Sequence, residues 1–398
     1  MIALTGRRGV LALAVTQIAS WGSTYFIPAM LVAPISADLD IRPTTVFSGV
    51  TIQLVVGAFL GPWVGRQVDR DGPRRILVLG SLLLAAGLGV LGLADGLVIY
   101  AVAWSIMGLG MPMVLIQTPF AAAALLVPGG ARQAIGLMTL IGSLTTVAFL
   151  PAMAWLEAPL GWRGICFLFA GIQLVVCLPL HAAITARPLP RDGSGNVSSA
   201  DFGGIADPRL RRQAFWMMAV AFSCIGFVTW GLPLHLVEIA RAYGQPAAVA
   251  VTVGAVMGPA QMVARAAEAA FGQKMPILDV GYLSLAVIAA ALVLPLIFGG
   301  TATMLMAMVI GFGLGTGANT IVRAIAPLVV FGRAGYATVL GKMGLPMNLV
   351  FATAPFLIAA AIEAGGPAAG LAVCAAATLV SLAGMLVLRR LAAGSFAQ

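Results

Sequence analysis

The sequence predicts an all-α membrane protein with twelve transmembrane helices arranged as two six-helix bundles. Three observations lead to this fold class. Hydrophobic residues make up 61% of the 398 residues and charged residues only 9%, whereas soluble domains are about half apolar and a quarter charged. Twelve apolar segments each approach or exceed the length of about 20 residues that a helix needs to cross a bilayer. A single long polar stretch divides them into two sets of six.

The twelve segments can be placed in order along the chain. The start, TGRRGVLALAV, is similar to a signal peptide, but its apolar residues continue to Val32 without a small-residue cleavage site. This stretch is therefore interpreted as the first membrane helix. The predicted spans lie at about 9–33, 44–65, 75–94, 97–124, 133–156, 163–185, 213–240, 247–270, 276–298, 301–325, 334–362 and 367–388.

The polar stretch RPLPRDGSGNVSSADFGGIADPRLRR separates the sixth span from the seventh. It is rich in Pro, Gly and Ser, a composition typical of flexible linkers. The sequence therefore predicts an N-terminal six-helix bundle over residues 1–186, a linker over 187–212 and a C-terminal six-helix bundle over 213–398.

The two predicted bundles carry weak internal repeats. IPAMLV in the first span is similar to LPLHLV in the seventh, and a Gly-Pro step followed by Arg-x-x-acid occurs in both the second and the eighth spans. Because these matches keep their order along the chain, they favour two pseudo-symmetric halves.

The distribution of Lys and Arg predicts the orientation in the membrane. With a cytoplasmic N-terminus, all of the 22 Lys and Arg residues except Arg42, Arg163 and Arg241 fall on the cytoplasmic side. Cytoplasmic loops are enriched in these residues. Both termini and the linker are therefore expected in the cytoplasm. The Ala- and Gly-rich composition is typical of a GC-rich bacterial genome, so we expect a multi-pass protein of a bacterial inner membrane.

Composition disfavours several other classes. A net charge of +9 would suit nucleic acid on a polar domain with a basic face, but here the basic residues punctuate apolar runs. The four cysteines lie in apolar segments without CxxC spacing, so no metal site is expected. No nucleophile–His–acid group and no GxxxxGK[ST] loop is recognisable. We therefore expect neither an enzyme nor a cofactor.

Charge is concentrated in one short loop, between the second and third spans. The stretch GRQVDRDGPRR holds six charged residues. It resembles the loop pattern of the major facilitator superfamily, Gly-x-x-x-Asp-Arg-x-Gly-x-Arg, although the often basic position after the second glycine is proline here. The GWR at the start of the sixth span and the six-plus-six layout extend the resemblance over nearly the whole chain. The pattern is matched by Gly65, Asp69, Arg70, Gly72 and Arg74.

The resemblance implies that this loop is a latch between the two halves. The Asp69 carboxylate would face the positive N-terminal end of the eleventh helix near Gly335, and Arg70 and Arg74 would hold it. Gly65 and Gly72 would allow close helix approach and a tight turn. Arg265 and Glu268 suggest a second latch in the other half. The alternative is that these arginines only anchor the topology.

The resemblance also implies alternating access around a central cavity lined mainly by the first, fourth, seventh and tenth helices. Aromatic residues there could equally pack or lie at an interface, and amides could bond between helices. The candidate substrate-binding residues of these types are Gln17, Trp21, Tyr25, Gln117, Trp230 and Asn319.

Intramembrane cations are a sharper signal because burying charge in lipid is costly. Arg265, Arg323 and Lys342 enter the second half from the cytoplasmic side, whereas no carboxylate lies in the central part of a predicted span. Cations without nearby carboxylates suit an anionic ligand. The pair on the eighth and eleventh helices, Arg265 and Lys342, resembles members of the superfamily that exchange small carboxylates, such as monocarboxylate and oxalate–formate exchangers. Arg323 could instead extend to the inner surface.

The resemblance therefore implies a secondary transporter of a small, anionic organic solute. A pump that exports hydrophobic drugs or metalloids is the alternative within the same fold, and a membrane enzyme or receptor is a distant third. The expected partners are the lipid bilayer and a small-molecule substrate, with the protein acting as a monomer. Of the two histidines, His181 is expected to be inert, and His235 either forms a relay with Glu238 or is solvated at a helix end.

Overall fold

The computed structural model describes residues 4–127, 129–184, 204, 205 and 207–396. Most of the predicted linker lies outside these residues. The described residues are nearly all helical and contain no strand, as expected for an apolar chain whose backbone groups must bond within the membrane.

Among the described residues, fourteen α-helices follow one another, with a short π-helical stretch between α8 and α9. Several helix ends differ from the predicted ends of the spans. For example, α10 begins five residues before the predicted seventh span. The helices are α1 (Gly6–Gly22), α2 (Ile27–Asp38), α3 (Pro43–Asp71), α4 (Pro73–Gly92), α5 (Leu97–Val114), α6 (Gln117–Leu126), α7 (Ala131–Gly142), α8 (Leu144–Ile172), α9 (Leu178–Ala183), α10 (Pro208–Ala242), α11 (Ala247–Phe271), α12 (Ile277–Phe298), α13 (Ala302–Phe331) and α14 (Tyr336–Phe396).

All twelve predicted spans consist largely of helix in the part of the chain that the structure describes. Nine helical stretches there are long and apolar enough to cross a membrane. The two counts differ because breaks divide some spans into short helices, as between α1 and α2. In addition, the last two predicted spans count as one because they form a single element, α14, which is interrupted by non-helical backbone at Gly365 and Gly366.

The chain separates into two compact units. The first comprises Met1–Ser198 together with Ala334–Asn348, and the second comprises Ser199–Arg333 together with Leu349–Gln398. Large apolar side chains such as Trp104 form the core of the first unit, and Phe312 is among those that form the core of the second. Because Ala334–Asn348 belongs to the first unit, that unit includes the start of α14.

Helices α3 and α14 approach closely along a glycine seam, which we define as Gly61 and Gly65 facing Ala337 and Gly341. A methyl group added at Gly61 would lie 3.1 Å from the Gly341 carbonyl oxygen. One added at Gly65 would collide with the Ala337 carbonyl group. Small residues four positions apart allow membrane helices to pack backbone against backbone. The seam fixes the start of α14 against α3 within the first unit.

We predict that Gly65→Ala destabilises the protein because the new methyl group meets rigid backbone rather than a movable side chain. Overpacking of this kind costs about 1–3 kcal/mol, and the apparent melting temperature in detergent measures the loss. Gly89→Ala in α4 is the matched control, since a methyl group there meets nothing within 4 Å. Equal melting temperatures for the two variants would contradict the close approach at the seam.

Candidate functional site

The glycine seam ends at a side chain that caps α14. Asp69 follows Gly65 by one helical turn, so it lies on the same face of α3. Its Oδ2 accepts a hydrogen bond from the Thr338 amide at 2.7 Å, and its Oδ1 accepts one from the Ala337 amide at 3.2 Å. The first amides of a helix lack partners in their own helix, and its N-terminus carries partial positive charge. The Asp69 carboxylate therefore supplies hydrogen-bond acceptors for these amides and a negative charge beside the positive end of the helix.

The loop between α3, which carries Asp69 in its last turn, and α4 is a single residue long. Gly72 has φ +83°, a left-handed conformation that favours glycine, and Pro73 starts α4 directly after it.

The expectation that Arg70 and Arg74 would hold the Asp69 carboxylate differs from the structure. Arg70 pairs instead with Asp71 at 3.7 Å and its side chain is 71% exposed. Arg70 lies about 100° around α3 from Asp69, and Arg74 is exposed beyond the turn.

Gln17 and Trp21 bond to backbone at the end of α5. Gln17 Nε2 donates to the Val114 carbonyl at 2.6 Å, and Trp21 Nε1 donates to Gln17 Oε1 at 2.9 Å and to the Leu115 carbonyl at 3.2 Å. The helix is broken here, and Pro119 has no N–H to give to Leu115 four residues earlier. These two candidates therefore satisfy carbonyl groups that the break releases. Trp21 also makes an edge contact with Tyr25, with centroids 5.9 Å apart.

Gln117, at the start of α6, contacts the region of the glycine seam. Its side-chain amide lies where a methyl group on Gly61 or Gly344 would overlap it. The side chain is buried, at 4% exposure, yet its Oε1 has no hydrogen-bond partner among the described residues. Lys342 lies on α14 within this same unit. It is exposed and forms no ion pair or hydrogen bond with the residues that the structure describes.

A stack of one cation and two aromatic rings lies in the second unit. The Arg323 guanidinium carbon on α13 is 5.2 Å from the ring centroid of Phe351 on α14. Trp230 on α10 stacks on Phe351 with centroids 5.6 Å apart and ring planes 14° apart. The Arg323 Nε is buried without a hydrogen-bond partner in the described parts of the chain. We call Arg323, Phe351 and Trp230 the arginine stack.

The other candidates of the second unit make contacts between neighbouring helices. Asn319 is buried, and its Nδ2 donates to Ser284 Oγ at 3.3 Å, which links α13 to α12. Arg265 Nη2 lies 3.5 Å from Thr320 Oγ1, which links α11 to α13. The Glu268 carboxyl group lies over Gly272, where an added methyl group would overlap it.

Some residues of these sites were missed in the sequence. Phe351 is one apolar residue among many, and no pattern marks it as the centre of a stack. The polar contacts of His181 were also not foreseen: it is fully buried, with Nδ1 2.7 Å from Ser81 Oγ and Nε2 2.9 Å from Thr16 Oγ1. The helical spacing of Thr16 and Ser20 in α1 was the available signal for a buried polar face.

The fold and these sites define a helical membrane protein in which Arg323 has no hydrogen-bond or ion-pair partner among the described residues, and comparison identifies its family. Residues 12–341 match the sequence model of the Major Facilitator Superfamily. This range covers most of the 398 residues, and the chain belongs to that superfamily. It is therefore a multi-pass membrane protein of a family of transporters.

Two curated relatives match parts of the chain. The "Oxalate:formate antiporter" of Oxalobacter formigenes is 24% identical over 221 residues, which is 56% of this chain and 52% of the antiporter. An "MFS-type transporter" of Gibberella moniliformis (strain M3125 / FGSC 7600) is 30% identical over 155 residues, or 37% of each chain. The matched part thus spans about half, or less, of these relatives.

Solved structures show the same fold over nearly the whole chain. The human organic anion transporter MFSD10 (TETRAN) superposes with a TM-score of 0.75 at 13% identity, covering 95% of this chain and 98% of the other. The transporter FucP in the outward conformation superposes with a TM-score of 0.72 at 14% identity, covering 96% and 99%.

We predict that Asp69→Asn loosens the start of α14, because an amide lacks the negative charge and offers one acceptor where two amides need bonds. Loss of such a cap costs about 1 kcal/mol, so amide hydrogen exchange at residues 337 and 338 should quicken about fivefold to tenfold. Exchange measured by mass spectrometry across the start of α14 checks this. Asp71→Asn is the control, and an equal change in both variants would refute the cap.

Proposed function

We propose that the protein is a secondary transporter of a small organic anion and that the Arg323 guanidinium binds the negative charge of the substrate. The observation that carries this proposal is the arginine stack. Within the described residues, Arg323 contacts the face of Phe351 and has neither a carboxylate nor a hydrogen-bond partner. Intramembrane ionisable residues commonly mark substrate or ion pathways, and this supports an anion as the partner of Arg323.

The depth of the stack supports this proposal. Phe351 is 15 residues beyond Tyr336, the first residue of α14, which is about 22 Å at 1.5 Å per residue. A similar length of helix separates it from the break at Gly365. Phe351 is only 1% exposed. The ring that Arg323 touches therefore lies near the middle of a span, the depth at which transporters of this superfamily bind their substrates.

The energetics favour a ligand rather than a structural charge. An arginine at the centre of a spanning helix costs about 2.5–3.5 kcal/mol. Arg323 lies eight residues before the end of α13, so its own cost is below this figure. The contact with one aromatic face returns about 1–2 kcal/mol. Every acidic residue that the structure describes lies within about one helical turn of a helix end or of the breaks at Gly161 and Gly365. A bound anion would supply the compensation that the described protein groups do not.

Lys342 and Gln117 are further candidates within the first unit. Lys342 offers an exposed cation, and Gln117 offers a buried carbonyl oxygen without a donor among the described residues. The cation would attract a negative group, and the carbonyl oxygen would accept a hydrogen bond from a donor. We assign Gln17, Trp21 and Asn319 to structural bonding, since their polar atoms are engaged by neighbouring helices.

The similarity to an oxalate:formate antiporter supports a carboxylate substrate and movement by exchange. The family supports alternating access, with Asp69 and the glycine seam as a gate that opens and closes. We further propose that both termini are cytoplasmic, in accordance with the distribution of Lys and Arg, and that the protein is a monomer in a bacterial inner membrane.

We predict that small carboxylates raise the melting temperature of the purified protein and that Arg323→Gln abolishes this shift. Ligand at 100 times its Kd stabilises by about 2.7 kcal/mol. The screen should include oxalate, formate, lactate, succinate, a neutral sugar and a cationic drug, with Arg75→Gln as the control because Arg75 is exposed. Stabilisation by the drug alone would favour an exporter of hydrophobic compounds and overturn the proposal.

We predict that Lys342→Ala reduces uptake of the anion found in this screen about tenfold and changes uptake of a neutral solute much less, since an ion pair of moderate strength contributes about 1.4 kcal/mol. Uptake into proteoliposomes measures both rates. Lys274→Ala is the matched control because Lys274, the other lysine of the chain, lies beside Phe271 at a helix end. Equal losses for the two solutes would make Lys342 a structural residue.

A further inference from the structure

His235 has a hydrogen-bond acceptor at each of its two ring nitrogens. Nδ1 lies 3.0 Å from Oε2 of Glu238, one turn further along α10. Nε2 lies 3.1 Å from the carbonyl oxygen of Pro355 on α14. The imidazole is half-buried at 13% side-chain exposure, whereas the Glu238 side chain is 59% exposed.

A neutral imidazole carries one N–H and one lone pair, so it can donate to only one of these two oxygens. The other nitrogen would then direct its lone pair at an acceptor. Both contacts are satisfied when an additional proton lies between Nδ1 and Oε2. We propose that His235 and Glu238 form a proton-binding site, and that the bound proton ties α10 to α14.

The proton site adjoins the arginine stack. Three residues of α10 contact α14 in order along the chain: Gly226 beside Phe351, Gly231 beside Ala354, and His235 beside the Pro355 carbonyl. Pro355 follows Phe351 by one helical turn. Loss of the proton removes one of the two contacts of His235, and this weakens the end of the interface that positions Phe351.

Few other charges face this site from the surrounding helices. On α10 the following turn carries Arg241. Helix α14 has no titratable residue between Lys342 and Glu363, and α11 has none before Arg265. On α13 the only titratable residue is Arg323, which touches Phe351. Within the described residues, Glu238 is therefore the acidic partner that the geometry gives to His235.

His181, the other histidine of the chain, provides an internal reference. Its neighbours are the hydroxyl groups of Ser81 and Thr16. A hydroxyl group can donate or accept, so a neutral imidazole satisfies both contacts there. The two histidines should therefore differ in the number of protons they hold at the same pH.

The test is the ¹⁵N spectrum of the full-length protein labelled at histidine, at pH 7 in lipid nanodiscs. Two imidazole groups contribute, and His235→Gln assigns them. We expect two protonated nitrogens at His235 and one protonated nitrogen at His181. A bare nitrogen at His235 in the wild-type protein would overturn the proposal.

Glu238→Gln is the decisive variant because its side-chain amide keeps the shape and can donate to Nδ1. We expect His235 to lose its second proton in this variant while the His181 signal stays unchanged. That unchanged signal also shows that the fold is intact. Two protonated nitrogens at His235 in Glu238→Gln would show that the carboxylate does not define the site.

A second measurement, which rests on the proposed function, examines the link to the arginine stack. Binding of the anion from the thermal screen should weaken about fivefold from pH 6 to pH 8 in the wild-type protein, the lower end of coupling between linked sites, and less in Glu238→Gln. The same pH dependence in both proteins would disprove the link. If no anion binds, the proposed function fails, while the ¹⁵N spectra still decide the proton site.

Discussion

Wherever a helix begins, ends or breaks, its free backbone N–H and C=O groups need hydrogen-bond partners. This requirement holds whatever the substrate is. Lipid offers these groups no hydrogen bonds, and each one left bare costs several kcal/mol. In this protein, side chains from other helices meet the requirement. Asp69 bonds the first amides of α14, Trp21 bonds the Leu115 carbonyl, and Arg211 on α10 bonds the Phe331 carbonyl at the end of α13. Much of the scarce polar content of the chain is used in this way.

This requirement explains why the fold could be read from the sequence more fully than the sites. Long apolar segments fix the positions of the spans, because length and hydropathy decide whether a helix crosses the bilayer. The breaks were harder to foresee. The turn after α1 and the interruption before Gln117 depend on which side chains elsewhere can satisfy the freed carbonyl groups. Those partners are distant in sequence, as with Gln17 and Val114.

The candidate sites show the same limit at the level of single residues. Asp69 could be placed near the start of α14 because the loop pattern supplied its context. Its neighbour Arg70 was given the wrong partner, since one residue along a helix turns the side chain by about 100°. Gln17 and Gln117 are the same residue type in similar surroundings. Only the structure shows that the Gln17 amide is engaged, whereas the Oε1 of Gln117 has no partner among the described residues.

The first compact unit contains residues 334–348 although these follow most of the second unit along the chain. Recombination between related genes at the central linker would therefore separate Gly65 from Ala337 and Asp69 from Thr338. A chimaera joined at the linker would pair an α3 and a start of α14 that come from different proteins. Exchange of the N-terminal half between homologues would preserve the glycine seam only if residues 334–348 were exchanged with it.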